Sequence, residues 1–312
     1  MTWISGQDLW DWWVQARTQL TTLSDQAFAT TLSSELEWLL QSVADLDRLS
    51  LRLANFKTEA QIQTQVSLAE LEHLWQRRQQ ERMPIQYLVG ITPWRDFELR
   101  VRPGVLIPRP ETELLVDLAV EATQGQQNLD PAHWVDLGTG SGAIALGLAR
   151  VLPQATLHAV DRSQLALTVA RQNATVLGLE SRIRFYQGSW LEPLTLLRGH
   201  IQGIVSNPPY IPAAMVTNLQ PEVAWHEPRL ALAAGADGLS AIREIVAQAS
   251  GYLVPGGVLL MEMMAGQSEA VVELLRSQAH YTQIQIHADL AGIPRFAQAH
   301  RIHPDPSTQP TP

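Results

Sequence analysis

The run His133-Trp-Val-Asp136-Leu-Gly138-Thr139-Gly140-Ser141-Gly142-Ala-Ile144 passes from a β-like segment, residues 133–137, into a helical one, residues 141–151, through three glycines. A strand that turns straight into a helix must bend tightly. It can also bring its backbone close to a ligand only if no Cβ stands in the way, and glycine meets both demands. Downstream the pattern repeats, with strands at 155–160, 182–187 and 201–206 and helices at 163–176 and 239–250. From Gly256 to Arg301 there follow a strand at 257–262, a helix at 267–277 and two further strands. Such alternation argues an α/β fold, a doubly wound and mostly parallel sheet.

Upstream, Pro110 suits the first turn of a helix whose Leu114, Leu115, Leu118 and Ala119 would face a core. Short β-like stretches from Gln86 to Val105, broken by Gly90, Pro93, Pro103 and Gly104, suggest a linking β-hairpin over residues 84–105. Residues 1–83 read as a helical bundle without strands. Leu9, Trp12, Trp13, Ala16 and Leu20 recur at helical spacing, and Ser34 with Glu37, then Ser67 with Glu70, have the form of capping boxes opening two more helices. Six of the ten tryptophans lie in this first quarter, where large aromatics supply core area that a short helical domain lacks. The expected plan is therefore a helical domain at 1–83, a hairpin at 84–105, an α/β domain at 106–303 and a disordered polar tail at 304–312.

A chain of 312 residues with 46% hydrophobic residues can bury an ordinary core in two parts. No stretch approaches the ~18 apolar residues of a membrane span. The start, Met1 to Trp13, carries Asp8 and Asp11 and lacks the basic and apolar regions of a signal peptide, so the cytoplasm is the expected location. Zero cysteines exclude disulfides, thiolate zinc sites and a cysteine nucleophile, and no metal is expected. The net charge of −9, from 22 basic and 31 acidic residues, shows no basic footprint of the kind that neutralises phosphates. Arg77 and Arg78, the one adjacent basic pair, read as a solvated helix face.

Asp161 ends the strand after the glycine loop, twenty-one residues beyond Gly140, where a carboxylate can accept hydrogen bonds from both hydroxyls of a ribose. Together these features indicate a cofactor that carries a nucleoside. A dinucleotide site wants G-x-G-x-x-G for its pyrophosphate, whereas this loop is G-x-G-x-G preceded by Asp136. Trp190, after the following strand, either covers an adenine ring or packs in the core.

The other chemical stretch is Asn207-Pro208-Pro209-Tyr210, closing the strand at 201–206. Proline has no N–H and drives its predecessor to extended angles, so the segment is stiff and its acceptors are unclaimed. The Asn207 side-chain oxygen and the Pro208 carbonyl can each accept one hydrogen of a substrate –NH2, and Tyr210 can stack on the planar group that carries it.

The Asp136 loop resembles that of class I S-adenosylmethionine-dependent methyltransferases, and the Asn-Pro-Pro-Tyr tetrapeptide resembles the signature of enzymes that methylate amide or exocyclic amino nitrogens. Pro84-Ile-Gln-Tyr87-Leu-Val-Gly90, Leu106-Ile-Pro108-Arg109-Pro110-Glu111-Thr112-Glu113 and His226-Glu227-Pro228-Arg229 narrow the resemblance to the release factor glutamine methyltransferases. It implies a class I methyltransferase sheet and N5-methylation of the glutamine in the Gly-Gly-Gln loop of peptide chain release factors, with the N-terminal bundle helping to dock that protein. It places S-adenosyl-L-methionine on Gly138, Thr139, Gly140, Ser141, Gly142, Asp161, Trp190 and Asn207, and the substrate amide on Asn207, Pro208, Pro209 and Tyr210, with Asn207, Pro208 and Tyr210 as the catalytic set. Ser189 stands where the family usually has an adenine-binding acid, and Met261-Glu-Met-Met264 also departs from the usual pattern. Pro108, Arg109 and Glu113 would roof the donor site, or Arg109 and Glu113 form a surface ion pair; Glu227 would brace the Asn207 loop, or sit in a surface turn.

Three other readings compete. The tetrapeptide also serves enzymes that methylate amino groups of DNA or RNA bases, against which the acidic charge weighs. A non-enzymatic binding module would not need intact glycines with Asp161 and Asn207. A dehydrogenase would need the other glycine spacing.

Overall fold

The computed structural model describes residues 1–44, 46–123 and 132–303, so the expected tail at 304–312 lies outside the described residues. The chain divides into two compact units, Met1–Gly90 and Ile91–Pro312.

The first unit contains β1 (Thr2–Ile4), α1 (Gly6–Leu20), α2 (Gln26–Val43), α3 (Arg48–Leu53), β2 (Ile62–Thr64), α4 (Leu68–Gln80) and α5 (Ile85–Val89). Its core joins Leu9, Trp12 and Trp13 of α1 to Leu32, Leu36, Leu39 and Leu40 of α2, Phe56, and Leu71 and Trp75 of α4. The Ser67–Glu70 capping box is present on both sides.

Four expectations for the N-terminal region are corrected. The unit is not strand-free: β1 and β2 pair antiparallel, Ile4 against Ile62. Three-residue strands are too short to show an alternating pattern in sequence. Ser34 does not open a helix. α2 starts earlier, with the Asp25 side chain accepting from Phe28 N, and Ser34 lies mid-helix donating to the Thr31 carbonyl. Arg78 is not solvated: it follows Leu71 and Trp75 on the buried face of α4, is 1% exposed, and donates to Glu35 at 2.6 Å. Gln86–Val89 is helical, because Pro84 fixes the N-cap of α5 and Gly90, at φ 80°, ends it in the left-handed region.

The second unit opens with the hairpin β3 (Ile91–Trp94) and β4 (Phe97–Arg100), followed by α6 (Leu114–Thr123). Then come β5 (His133–Leu137), α7 (Ala143–Val151), β6 (Thr156–Asp161), α8 (Gln164–Val176), β7 (Ile183–Gln187) and β8 (Ile201–Ser206). The remainder is α9 (Pro221–His226), α10 (Arg229–Leu232), α11 (Ser240–Ala249), β9 (Leu253–Glu262), α12 (Ser268–Ser277), β10 (Tyr281–Ala288) and β11 (Pro294–Arg301). The seven-stranded sheet runs β10-β11-β9-β8-β5-β6-β7, parallel except where β11 pairs antiparallel with β9 and β10. One face packs Trp134, Leu157 and Phe296 under α6 and α7; the other packs Val135, Ile204 and Leu259 under α11 and α12. This is the doubly wound, mostly parallel sheet that the alternation indicated.

The chain winds outward from β5 through β6 to β7 and returns to start again at β8, on the opposite side of β5. That reversal leaves a crevice at the carboxyl ends of β5 and β8, where ligands of open α/β sheets bind. Leu137 and Ser206 are register partners, and Ser206 Oγ donates to the Leu137 carbonyl at 2.7 Å. The glycine loop and the Asn207 loop therefore leave the sheet side by side.

Candidate active site

Gly138, Gly140 and Gly142 have φ of 74°, 56° and 89°, all in the region that disfavours side chains. The loop is stitched to β6, with Gly138 N and Thr139 N both donating to the Val160 carbonyl at 2.8 and 3.0 Å. A Cβ on Gly140 would meet nothing nearer than the Gly138 carbonyl at 4.0 Å, so its surroundings are open. Gly142 is different: a Cβ there would come within 3.1 Å of Ala170 Cβ, so this glycine lets α7 lie against α8.

Two carboxylates support the loop. Asp136, fully buried, accepts from Thr139 Oγ1 at 2.5 Å and Ala145 N at 3.0 Å through Oδ2, and burial pushes its pKa up to about 7. Asp161 accepts Gly140 N through Oδ2 at 2.9 Å and Ser163 N through Oδ1 at 2.8 Å. Burial raises its pKa, opposed by backbone N–H groups of Ser163, Gly140 and Arg162. The Asp161 carboxylate keeps acceptor capacity for a ligand hydroxyl.

On the other side of the crevice, Asn207 Nδ2 donates to Thr112 Oγ1 at 2.9 Å, and Thr112 Oγ1 donates to Glu262 Oε2 at 2.6 Å. The Tyr210 hydroxyl donates to the other Glu262 oxygen at 3.0 Å. Burial, then the neighbouring Glu262 charge, drives the Tyr210 pKa far above its ordinary value. Gln267 Nε2 donates to the Tyr210 carbonyl at 3.0 Å, holding the end of the tetrapeptide.

A cavity of about 260 Å³ lies between the two loops, near the lower end of the range for small-molecule sites. Of the residues singled out in sequence, Gly138, Thr139, Gly140, Ser141, Asp161, Trp190, Asn207 and Pro209 line it. Gly142, Pro208 and Tyr210 do not: Gly142 serves helix packing, Pro208 is buried, and the Tyr210 hydroxyl is turned to Glu262. Pro108, Thr112, Pro228, Leu230 and Glu244 complete parts of the wall.

Arg109 and Glu113 do not pair. The Arg109 guanidinium reaches both Glu227 oxygens, at 2.7 and 2.9 Å, while Glu113 accepts from Arg95 N at 2.8 Å. Glu227, 7% exposed, is therefore no surface turn residue; its ion pair ties the Arg109 segment to the segment before Pro228. Burial raises its carboxyl pKa and Arg109 opposes the rise.

Sequence reasoning missed Thr112, Glu262 and Glu244 as site residues. Glu262 carried a usable signal, since an acidic residue ending the apolar run Val258–Met261 stands at the carboxyl end of the strand beside β8. Glu244 had none. It accepts from Trp190 Nε1 at 2.8 Å and brings a carboxylate to the side of the cavity where Ser189 provides none.

A family model described as a methyltransferase domain matches residues 130–299. The release factor glutamine methyltransferase of Synechocystis sp. is 48% identical over 301 residues, 96% of this chain and 98% of that protein. The enzyme of the same name from Thermosynechococcus vestitus is 47% identical over 297 residues, 95% of this chain and 99% of its own. The chain belongs to the release factor glutamine methyltransferase family. A crystal structure of the release-factor-specific protein-(glutamine-N5) methyltransferase from Alicyclobacillus acidocaldarius is 27% identical, covers 66% of this chain and 100% of that chain, and has a TM-score of 0.41. Membership in the release factor glutamine methyltransferase family agrees with the resemblance carried by the Asp136 loop and the Asn207 tetrapeptide.

Proposed function

We propose that this chain transfers a methyl group from S-adenosyl-L-methionine to the side-chain amide nitrogen, N5, of the glutamine in the Gly-Gly-Gln loop of peptide chain release factors. The observation that carries this reading is the register of β5 and β8, which puts the glycine loop and Asn207 on one cavity. A substrate of this kind puts the reaction in the cytoplasm. Among the described residues no helix is long and apolar enough to cross a membrane.

The residues fit the donor. Gly138 and Gly140 leave backbone open to the cavity, where a Cβ would intrude on a ligand, and Asp161 has acceptor positions left for ribose hydroxyls. Trp190 offers a ring face for the adenine. When bound, S-adenosylmethionine supplies an electrophilic methyl carbon on its sulfonium centre.

The chain's own residues then act by positioning. An amide nitrogen is a poor nucleophile because its lone pair is delocalised into the carbonyl. Asn207, which lines the cavity, takes one of the nitrogen's hydrogens on its side-chain oxygen. The backbone carbonyl of the adjacent Pro208, whose residue is otherwise buried out of the wall, takes the other; this favours pyramidal nitrogen and aims the lone pair at the donor. No strong base is needed, because the nitrogen becomes acidic once alkylated and can release its proton afterwards. Tyr210 is poorly suited to be that base, with its hydroxyl engaged by Glu262 and its pKa raised. The N-terminal unit, with a core of its own, docks the protein substrate.

Incubating the protein with labelled donor and an unmodified release factor should place one methyl on the glutamine of the Gly-Gly-Gln peptide, read by mass spectrometry. Label on DNA or ribosomal RNA with the factor untouched would reject the reading. Asn207→Ala should abolish turnover while calorimetry still detects donor binding.

A further inference from the structure

A carboxamide has two ends of nearly the same shape and opposite polarity. The reading above, on which this inference rests, requires the oxygen of Asn207 to face the substrate –NH2. Turned around, Asn207 would set its own N–H groups against those of the substrate. Something must choose between the two orientations, and the choice can be traced outward through hydrogen bonds.

Glu262 ends β9 at 1% exposure. Both of its partners donate to it: Thr112 to Oε2 at 2.6 Å and Tyr210 to Oε1 at 3.0 Å. The Thr112 hydroxyl has one proton and has spent it on Glu262. Its oxygen can therefore only accept from the Asn207 group 2.9 Å away, and that group must be the –NH2. The Asn207 oxygen is the end left over.

We infer that Glu262 and Thr112 are positioning residues that set the polarity of Asn207, holding its side-chain oxygen toward the substrate amide. Burial raises the Glu262 pKa above its ordinary 4.5 and Glu111 adds to the rise, while the hydrogen bonds from Thr112 and Tyr210 and the Arg295 charge oppose it. Arg295 is itself anchored, donating to Asp289 at 2.7 Å.

The test uses the full chain, labelled donor and an unmodified release factor. Thr112→Val keeps the shape and removes the hydroxyl. It should lower kcat about tenfold or more, with KM for the release factor and donor affinity by calorimetry within about twofold of the parent. Thr112→Ser restores the hydroxyl and should recover turnover to within about threefold of the parent. A Thr112→Val enzyme within about twofold of parent turnover, or a Thr112→Ser enzyme as slow as the valine variant, overturns the inference. Should Thr112→Val not fold, the serine variant against Thr112→Ala decides in the same way. Asn207→Ala separates the two layers of argument. If it retains turnover, the acceptor reading itself has failed; if it is dead while Thr112→Val is fast, only the polarity device has.

Discussion

Gly140 and Gly142 both take positive φ, 56° and 89°, but their neighbours differ. Alanine at either position meets the left-handed penalty of roughly 1–2 kcal/mol. At Gly142 the new Cβ also presses on Ala170 at 3.1 Å, whereas at Gly140 it points into open space beside the cavity. Gly142→Ala should therefore lower the melting temperature more than Gly140→Ala, and Gly140→Ala should cost more donor affinity; thermal melts and calorimetry on the pair read both. Trp190 is a further case. It is a non-glycine residue at φ 48°, tied through Nε1 to Glu244. Removing that tie with Glu244→Ala should weaken donor binding by about fivefold, the size of one net hydrogen bond of about 1 kcal/mol, with little change in melting temperature.

The N-terminal helices show how far a local motif can be trusted. Ser67 and Glu70 bond reciprocally at the start of α4, while Ser34 and Glu37, with the same spacing, lie inside α2. Ser67→Ala should cost about 1 kcal/mol in urea unfolding, and Ser34→Ala should change stability by less than about 0.5 kcal/mol. The contrast has a physical source: a capping side chain stabilises a helix only where N–H groups lack an intrahelical partner. The chain start of α2 was legible instead in Asp25, followed by the apolar spacing of Phe28 and Leu32. Arg78 was legible too, at i+7 from Leu71 on the face that buries Leu71 and Trp75, but its charge makes the pair Arg77–Arg78 read as a solvated face.

Across the whole molecule, two buried groups give the α/β unit opposing responses to pH. Asp136 titrates near about 7 when folded, against 3.8 as the ordinary value, with burial the main cause. Between those limits the native state holds a proton that the unfolded chain has released, so stability falls as pH rises through the window. His158, 0% exposed and bonded between His133 and Tyr186, is lowered by burial from 6.5 to about 4. Below 6.5 the unfolded chain takes up a proton that the native ring refuses, so stability is lost as pH falls toward 4. In donor-free protein, the stability gained by Asp136→Asn relative to the parent should grow from pH 4 to pH 7. Replacing His158 by Gln should remove acid destabilisation between pH 6.5 and 4. Urea unfolding of the three proteins over that range checks both slopes.

The sequence by itself determined the kind of sheet, the two chemically distinct loops and the family, because these are written within a few residues. Glycine where φ must be positive, proline where an N–H must be absent, and apolar periods of two or 3.6 are all local demands. Only the tertiary structure decided which distant side chains serve those loops. Thr112 meets Asn207 across 95 residues and Glu262 across 150, and Arg109 meets Glu227 across 118. No local period encodes such pairs. They follow from strand order, which places the ends of β5, β8 and β9 next to one another, and from burial, which makes an unpaired polar group there costly.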